Sequence, residues 1–508
     1  MNSARAILRL HGEDNVGVAL RSIPPDTPVM DTGHSSRMAI PEGHKIALQS
    51  IPRDQPIIKF GHPIGVAANP IAPGEHVHTH NVALHDVDND YQFATDISRT
   101  QMVPSGERAM FNGFIRSNGR VGTRNYIGIL ATVNCSAGVG RFIAERASQD
   151  LLPEFSGVDG IVALGHGAGC CMNPEDDGFS ILQRTLAGYA HHPNFCGILL
   201  VGLGCEVNHL DCLMENMQLF AGPTLQVIDI QKSGGTRKSI DAGVEAVGEM
   251  LAEAVRTRRE PVSDGHLIVG LECGGSDAYS GISANPALGE AVELLIRHGG
   301  TAILSETPEI YGAEHLLTRR AGSTEVGESL VKRIRWWQDY TVRLGAVINN
   351  NPTPGNKAGG ITTILEKSLG AVAKAGSTNL KQVYGYAEPV REHGLVFMDT
   401  PGYDVVSVTG MTAGGANLIC FTTGRGTPCG FKPAPTIKLA SNTPMFRRMR
   451  DDMDINCGKI IDGTSGVQEL GEEIFQTLLD VASGAATCRE EFGFGDVEFV
   501  PWPMGAVM

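Results

Sequence analysis

Apolar residues follow two different rhythms along the 508-residue chain. Up to residue 83 they come in brief runs, at residues 6–10, 16–20, 45–51, 56–60 and 63–67. Turn residues such as Pro24-Pro25, Pro41-Glu42-Gly43 and Pro73-Gly74 separate them. No helix of useful length fits, so residues 1–83 read as a small all-β module. Residues 84–108, opening with HDVDNDYQ, have no period and read as an acidic linker with little packing of its own. The two flanking parts are accordingly expected to sit as separate bodies, with the β-module able to fold alone.

Beyond residue 109 the rhythm changes. Short apolar runs at 126–133, 160–164, 197–203 and 224–228 suit buried parallel strands. Amphipathic stretches at 139–151, 179–190 and 243–256 lie between them. A third region repeats the pattern, with strands expected at 266–271, 301–305, 394–398 and 418–422 and helices at 287–297 and 325–344. Alternation of this kind means parallel sheets with right-handed crossovers. The chain is thus α/β: a β-module (1–83), a linker (84–108), a middle α/β domain (109–262) and a last α/β domain (263–508).

Composition narrows the function. Hydrophobic residues make up 42% and charged residues 19%, which excludes disorder as the main state. With 41 basic against 56 acidic residues the net charge is −15, and no basic stripe stands out; nucleic acid is not an expected partner. No apolar run is long enough to span a bilayer and the first residues lack a signal peptide's apolar core, so the expectation is a cytoplasmic protein without membrane association. Eleven cysteines, an odd number, argue against a disulfide framework. Glycine is in excess, 63 residues, clustered where apolar runs end.

Those run ends are where ligands bind in open parallel sheets. Four of them deliver a cysteine: Asn134-Cys135-Ser136, GHGAGCC with Cys170 and Cys171, Gly204-Cys205-Glu206, and Glu272-Cys273 with Asp277 close behind. One reading is small residues in tight turns; the other is a thiolate-lined metal or iron–sulfur site. No CxxC pair is present, so any such ligands must be gathered from separate turns. GLGCEVNH lacks the full GxGxxG spacing and no P-loop occurs, so no nucleotide cofactor is expected. In the β-module, His76-x-His78-x-His80 would project its imidazoles to one face of a strand. With His11, His44 and Asp14 they suit a divalent metal, a carboxylate, or a merely polar strand edge. NNNPTPGNKAGG (349–360), with Asn356 and Lys357, and TTGRGT (422–427), with Arg425, offer amides and cations to a small anionic or polyhydroxylated ligand.

Several longer segments carry a resemblance. NGFIRSNGRVGTRNYIGILATVNC, GLGCE, LECGGSDAYSGISANPALG, NNPTPGNKAGGITT, EKSLGAVAKAG and FTTGRGTP resemble the altronate/galactarate dehydratase family almost end to end. HGEDNVGVAL, EGHKIAL and GEHVHTHN are similar to the SAF-type β-clip that opens its members, and HVHTHN is closer to the altronate branch. The resemblance implies a β-clip, a middle domain and a C-terminal Rossmann-like variant. It implies a hydro-lyase that converts a sugar acid to its 2-keto-3-deoxy product, activated by iron under reducing conditions, and a homodimer. A related sulfo-lyase acting on 3-sulfolactate shares the architecture.

Such a dehydration needs a base at C2, a cation for the enediolate and an acid for the leaving hydroxyl. The expected roles follow from that chemistry and the matching motifs. Arg425 with Thr423 and Thr427 grips the carboxylate. Asn356 and Lys357 meet hydroxyls or the enediolate, Lys357 as a catalytic group. His44 or His11 acts as acid or base, while Lys45 points to the opposite face of its strand. Cys135, Cys170, Cys205, Cys273, Asp277, Glu306 and Glu309 are the candidate ligands of a divalent metal, Fe2+ first and Mn2+ as the alternative, with an iron–sulfur cluster left open.

Overall fold

The computed structural model describes residues 6–29, 32–84 and 91–505. In the N-terminal module, Ile7–Leu8, Val16–Ala19, Lys45–Ala47 and His76–Val77 form one antiparallel sheet in that spatial order. Pro56–Lys59, His62–Ala67 and Val82–Ala83 form a second. The all-β expectation holds; four of the five strands are shorter than their apolar runs because the turns take the run ends, and His62–Ala67 is one residue longer.

The middle domain carries four parallel strands in the spatial order Gly160–Leu164, Tyr126–Ala131, Phe195–Gly202 and Leu225–Asp229. Helices Asn134–Asp150 and Thr236–Ala254 cover one face through Ile143, Ala147, Val247 and Leu251. The last domain has a seven-stranded parallel sheet, ordered Leu380–Tyr384, Gly394–Met398, Thr301–Leu304, Ile268–Cys273, Leu418–Thr423, Thr436–Ala440 and Ile455–Asn456. Burial on both faces explains why its strands read as unbroken apolar runs. Three of them, Leu380–Tyr384, Thr436–Ala440 and Ile455–Asn456, were not evident from apolar pattern; they sit toward the edges and mix polar residues in.

Two organisational expectations are corrected. The β-module is not a separate body: Val16, Ala47, Ile57 and Ile64 join one apolar core with Leu288, Leu369 and Leu395 of the last domain. The linker is not loosely packed either. Its residues 85–90 lie outside the described residues, but from Tyr91 onward it straps the last domain. Tyr91 Oη donates to Glu314 (2.6 Å), Ala94 and Asp96 amides bond the Thr318 and Arg319 carbonyls, and Val103 N–H bonds Arg297 O. Ser98 and the Asn379 side chain exchange two further bonds. An extended strap held by single main-chain bonds to helix ends needs no repeating side-chain pattern, so none shows in the sequence. At the other end of the chain, Phe499 and Trp502 pack back into the middle domain's core.

Candidate active site

Strand Ile268–Cys273 lies at the centre of the large sheet, and its carboxyl end opens into residues 274–278. Two segments grip that loop, and a third docks beside it. Gly424 and Arg425 amides bond Gly275 O (3.1 and 2.8 Å). Asn356 Nδ2 donates to Ser276 O (2.8 Å), and Ala278 N–H bonds Gly359 O (2.9 Å). From the β-module, His44 reaches the Ala358 carbonyl through Nε2 (3.3 Å). The NNNPTPGNKAGG and TTGRGT segments therefore converge on one loop from distant parts of the chain, and the histidine module docks on the first of them.

The imidazoles gather there. His44 Nδ1 and His76 Nε2 are 3.0 Å apart, and the His44 and His78 rings lie 4.5 Å apart between centroids. Ligand nitrogens of His44, His76 and His78 all fall within 4.8 Å of one another. His80 stands 5.3 Å from His76, ring to ring. Burial lowers His44 and, with neighbouring positive charge, brings His76 to about 4 and His78 to about 3, so these rings are neutral near pH 7. His78 Nδ1 is buried without a hydrogen-bond partner. A neutral His44 that gives its Nε2 proton to a carbonyl turns the Nδ1 lone pair toward His76. Two imidazoles at about 2.1 Å from one ion and at right angles stand roughly 3.0 Å apart. The set fits a divalent metal that accepts imidazole, such as iron or zinc.

A second cluster lies deeper. The buried Cys273 thiol donates toward Glu306 Oε2 (3.3 Å) and Glu309 Oε2 (3.4 Å). Glu306 sits at φ +65°, held by the Thr400 hydroxyl on its amide. Lys374 Nζ pairs with Glu306 at 2.8 Å, and Lys367 Nζ pairs with Glu309 at 2.5 Å while also donating to Asn351 Oδ1. Burial pushes Cys273 up, and Glu306 adds to that, so the thiol keeps its proton. Burial and then Glu306 raise Glu272 as well; Asp404 is lifted by the same causes to about 7. Burial opposes charge on Glu306, but Lys374, Glu272 and Lys367 together outweigh it and the carboxyl stays below its ordinary range. The predicted ligands Cys273, Glu306 and Glu309 do meet, with ligand atoms within 4.8 Å of one another and Glu306 Oε1 buried without a hydrogen-bond partner, but each carboxylate also has a lysine on it. Lysine neutralisation makes this a rigid plug beneath the loop.

The other predicted residues divide. Arg425 is exposed and Lys357 half-buried, both bordering the loop. Thr423 Oγ1 accepts Gly426 N–H (2.9 Å) and Thr427 Oγ1 accepts Cys429 N–H (3.3 Å), so both hydroxyls shape the Arg425 turn. Asn356 is buried in a capping box with Thr353 and holds Ser276. Asp277 is spent: it accepts from Tyr279 and Ser280 amides, the Ser280 and Ser441 hydroxyls, and Asn442 Nδ2. Four of these bonds fall on Oδ1 and one on Oδ2, and together they fasten the loop. His11 stands apart, packed at Gly61 and accepting Glu13 N–H. Asp14 is likewise spent on the Leu10, His11 and Gly61 amides. Cys135, Cys170 and Cys205 lie on the middle sheet, so the four strand-exit cysteines do not converge: three share one sheet and Cys273 belongs to another.

Sequence reasoning missed Lys59, Glu366, Lys367, Lys374 and Asp404. A signal existed. Glu366, Lys367 and Lys374 interrupt the otherwise apolar EKSLGAVAKAG, whose helix Ile364–Val372 is buried on every side. Charges in a helix without a wet face must be paired internally.

The chain matches the family models described as Altronate/galactarate dehydratase SAF domain over residues 5–85, and D-galactarate dehydratase/Altronate hydrolase, second domain, over 113–255. D-galactarate/Altronate dehydratase, C-terminal, matches 265–507. It is 35% identical to an altronate dehydratase of Bacillus subtilis over 97% of this chain and 98% of that one. It is also 35% identical to an altronate dehydratase of Escherichia coli over 96% and 98%, and to an E. coli galactarate dehydratase (L-threo-forming) over 94% and 92%. With all three parts matched in order along nearly its whole length, the chain belongs to the altronate/galactarate dehydratase family of sugar-acid hydro-lyases.

Proposed function

We propose that this enzyme dehydrates altronate, or a closely related hexonate, to a 2-keto-3-deoxy sugar acid, using Fe2+ held by His44, His76 and His78. The observation that carries this reading is the convergence of three neutral imidazoles, one with an unpartnered buried nitrogen, beside the short helix that grips the loop at the sheet's carboxyl end. Two altronate dehydratases among its relatives support the substrate. The cation, when bound, supplies positive charge for the enediolate that forms as the C2 proton leaves. Arg425 binds the substrate carboxylate with a planar pair of donors. Lys357, on the short helix whose end His44 touches, faces the hydroxyl-bearing part of the sugar acid. His80, the neighbouring imidazole outside the three-histidine set, carries the proton. The plug of Cys273, Glu306, Glu309, Lys367 and Lys374 holds the loop still beneath the substrate. The same reading places the enzyme in the cytoplasm as a homodimer, which light scattering tests directly.

The deciding experiment is an anaerobic assay on altronate, galactarate and 3-sulfolactate, with and without Fe2+, following keto acid and sulfite. Keto acid from altronate, lost to a chelator and restored by Fe2+, is the expected result. Full turnover in a metal-free preparation overturns the metal; sulfite release without dehydration overturns the substrate class.

A further inference from the structure

We propose a second metal centre, in the middle domain: an iron–sulfur cluster held by the thiols of Cys135, Cys205 and the Cys170–Cys171 pair. Tyr126–Ala131 runs between Gly160–Leu164 and Phe195–Gly202, all parallel, so their three carboxyl ends share one edge. Each exit brings cysteine to that edge. The segment 165–171 folds back over it, and main-chain bonds stitch the exits together. Asn134 N–H bonds Ala168 O (3.0 Å), Val207 N–H bonds Cys170 O (3.0 Å) and Asn208 N–H bonds Gly169 O (3.1 Å).

The scaffold under the thiols is stiff. Gly169 sits at φ +99°, and any Cβ there would meet the Thr132 carbonyl oxygen, so only glycine lets the segment lie so low. The Glu206 carboxylate locks the Cys205 turn by accepting from Leu203 and Gly204 amides (3.0 and 2.6 Å) and from Thr132 Oγ1 (2.8 Å). All four thiols are exposed and none forms a disulfide; Cys205 Sγ accepts from Gln231 Nε2 (3.3 Å) and Cys135 Sγ donates to Asn134 Oδ1 (3.6 Å). Cys170 and Cys171 sulfurs are 3.6 Å apart.

Thiolates in such number select soft metal chemistry. A single tetrahedral ion at about 2.3 Å from sulfur draws its thiolates to within roughly 4 Å of one another. The Cys170–Cys171 pair is that close; Cys135 and Cys205 come from two further strand exits, successive strands being about 4.8 Å apart. That span suits a polynuclear iron–sulfur unit with its own sulfides between the irons. The centre is on a different sheet from the histidine site, so it stands whether or not the proposed dehydratase chemistry does.

The test uses the full chain, purified anaerobically and reconstituted with Fe2+ and sulfide. Broad visible absorption with matched iron and acid-labile sulfide is expected. It should be lost in Cys135→Ser/Cys205→Ser and in Cys170→Ser/Cys171→Ser, and kept in Cys429→Ser and His78→Ala. In the loaded wild-type protein the four thiols should resist alkylation, as read by mass spectrometry, which holds even if a variant folds poorly. Absorption and sulfide that survive the cysteine changes overturn the proposal. So does stoichiometric zinc or iron without labile sulfide, or four thiols that alkylate freely after reconstitution.

Discussion

Lys45 and Glu366, 321 positions apart in sequence, form a buried ion pair at 2.8 Å that fastens the β-clip to the last domain. Lys59 joins the same carboxylate at 2.8 Å. Two ammonium groups share one carboxylate, which leaves one positive charge unbalanced. Burial and Lys59 accordingly lower Lys45 to about 8, although Glu366 opposes the shift. The two lysines overcome the burial of Glu366 and hold it far below its ordinary range. Glu366→Gln should therefore cost about 3–5 kcal/mol, the usual penalty for breaking one side of a buried pair. Lys59→Met, which leaves a balanced Lys45–Glu366 pair, should cost far less. Denaturant unfolding of the two variants checks this, and equal losses would contradict it. Deleting residues 1–83 strips the same contacts and should give an insoluble remainder.

Removing His78 takes away a nitrogen with no other partner, so the fold should barely notice. His78→Ala is expected to weaken Fe2+ or Zn2+ binding at least about tenfold, with the metal-free thermal midpoint unchanged. Calorimetric titration beside a melting curve reads both. His44→Ala should lower kcat far more than stability, since its bond to Ala358 is long at 3.3 Å; a lowered midpoint with normal specific activity would make His44 structural.

Arg425 borders the loop from an exposed turn shaped by Thr423 and Thr427. Arg425→Lys keeps the charge but loses the planar fork, a loss of roughly 1.5–3 kcal/mol for a charge-assisted contact. KM for the sugar acid should rise at least about tenfold. An unchanged KM would remove Arg425 from the binding site.

Asp264, at the entry to the last domain, is fully buried with Oδ2 unpartnered. Burial raises its carboxyl to about 6, with Arg108 opposing. The native state thus holds a proton between about pH 4 and 6 that the unfolded chain has released, and stability falls as pH rises through that window. Asp264→Asn lacks the titration. The variant should be more stable than wild type by about 1–2 kcal/mol above pH 7, after allowance for solvent screening, with the gap closing near pH 4. A gap independent of pH would show that the carboxyl is not perturbed.

Local pattern alone determined the fold class. Runs such as Tyr126–Ala131, Gly394–Met398 and Leu418–Thr423 are apolar because both sheet faces are covered, and that cause operates within each strand. The segments bordering the site were legible too, because a strand exit that must bend and bind concentrates glycine, asparagine and arginine. The partners of those segments were not. Asp277 and Glu309 look alike as single acidic residues, yet one is consumed by five hydrogen bonds from its own loop and its neighbours and the other by Lys367. Cys205 and Cys273 follow similar strands and end on different sheets. His44 meets His76 only because Lys45–Ala47 pairs with His76–Val77. Whether a polar side chain is a ligand, an ion-pair partner or a loop fastener depends on what lies within about 3 Å of it. In this chain those neighbours often come from segments dozens to hundreds of residues away, so only the tertiary structure could assign them.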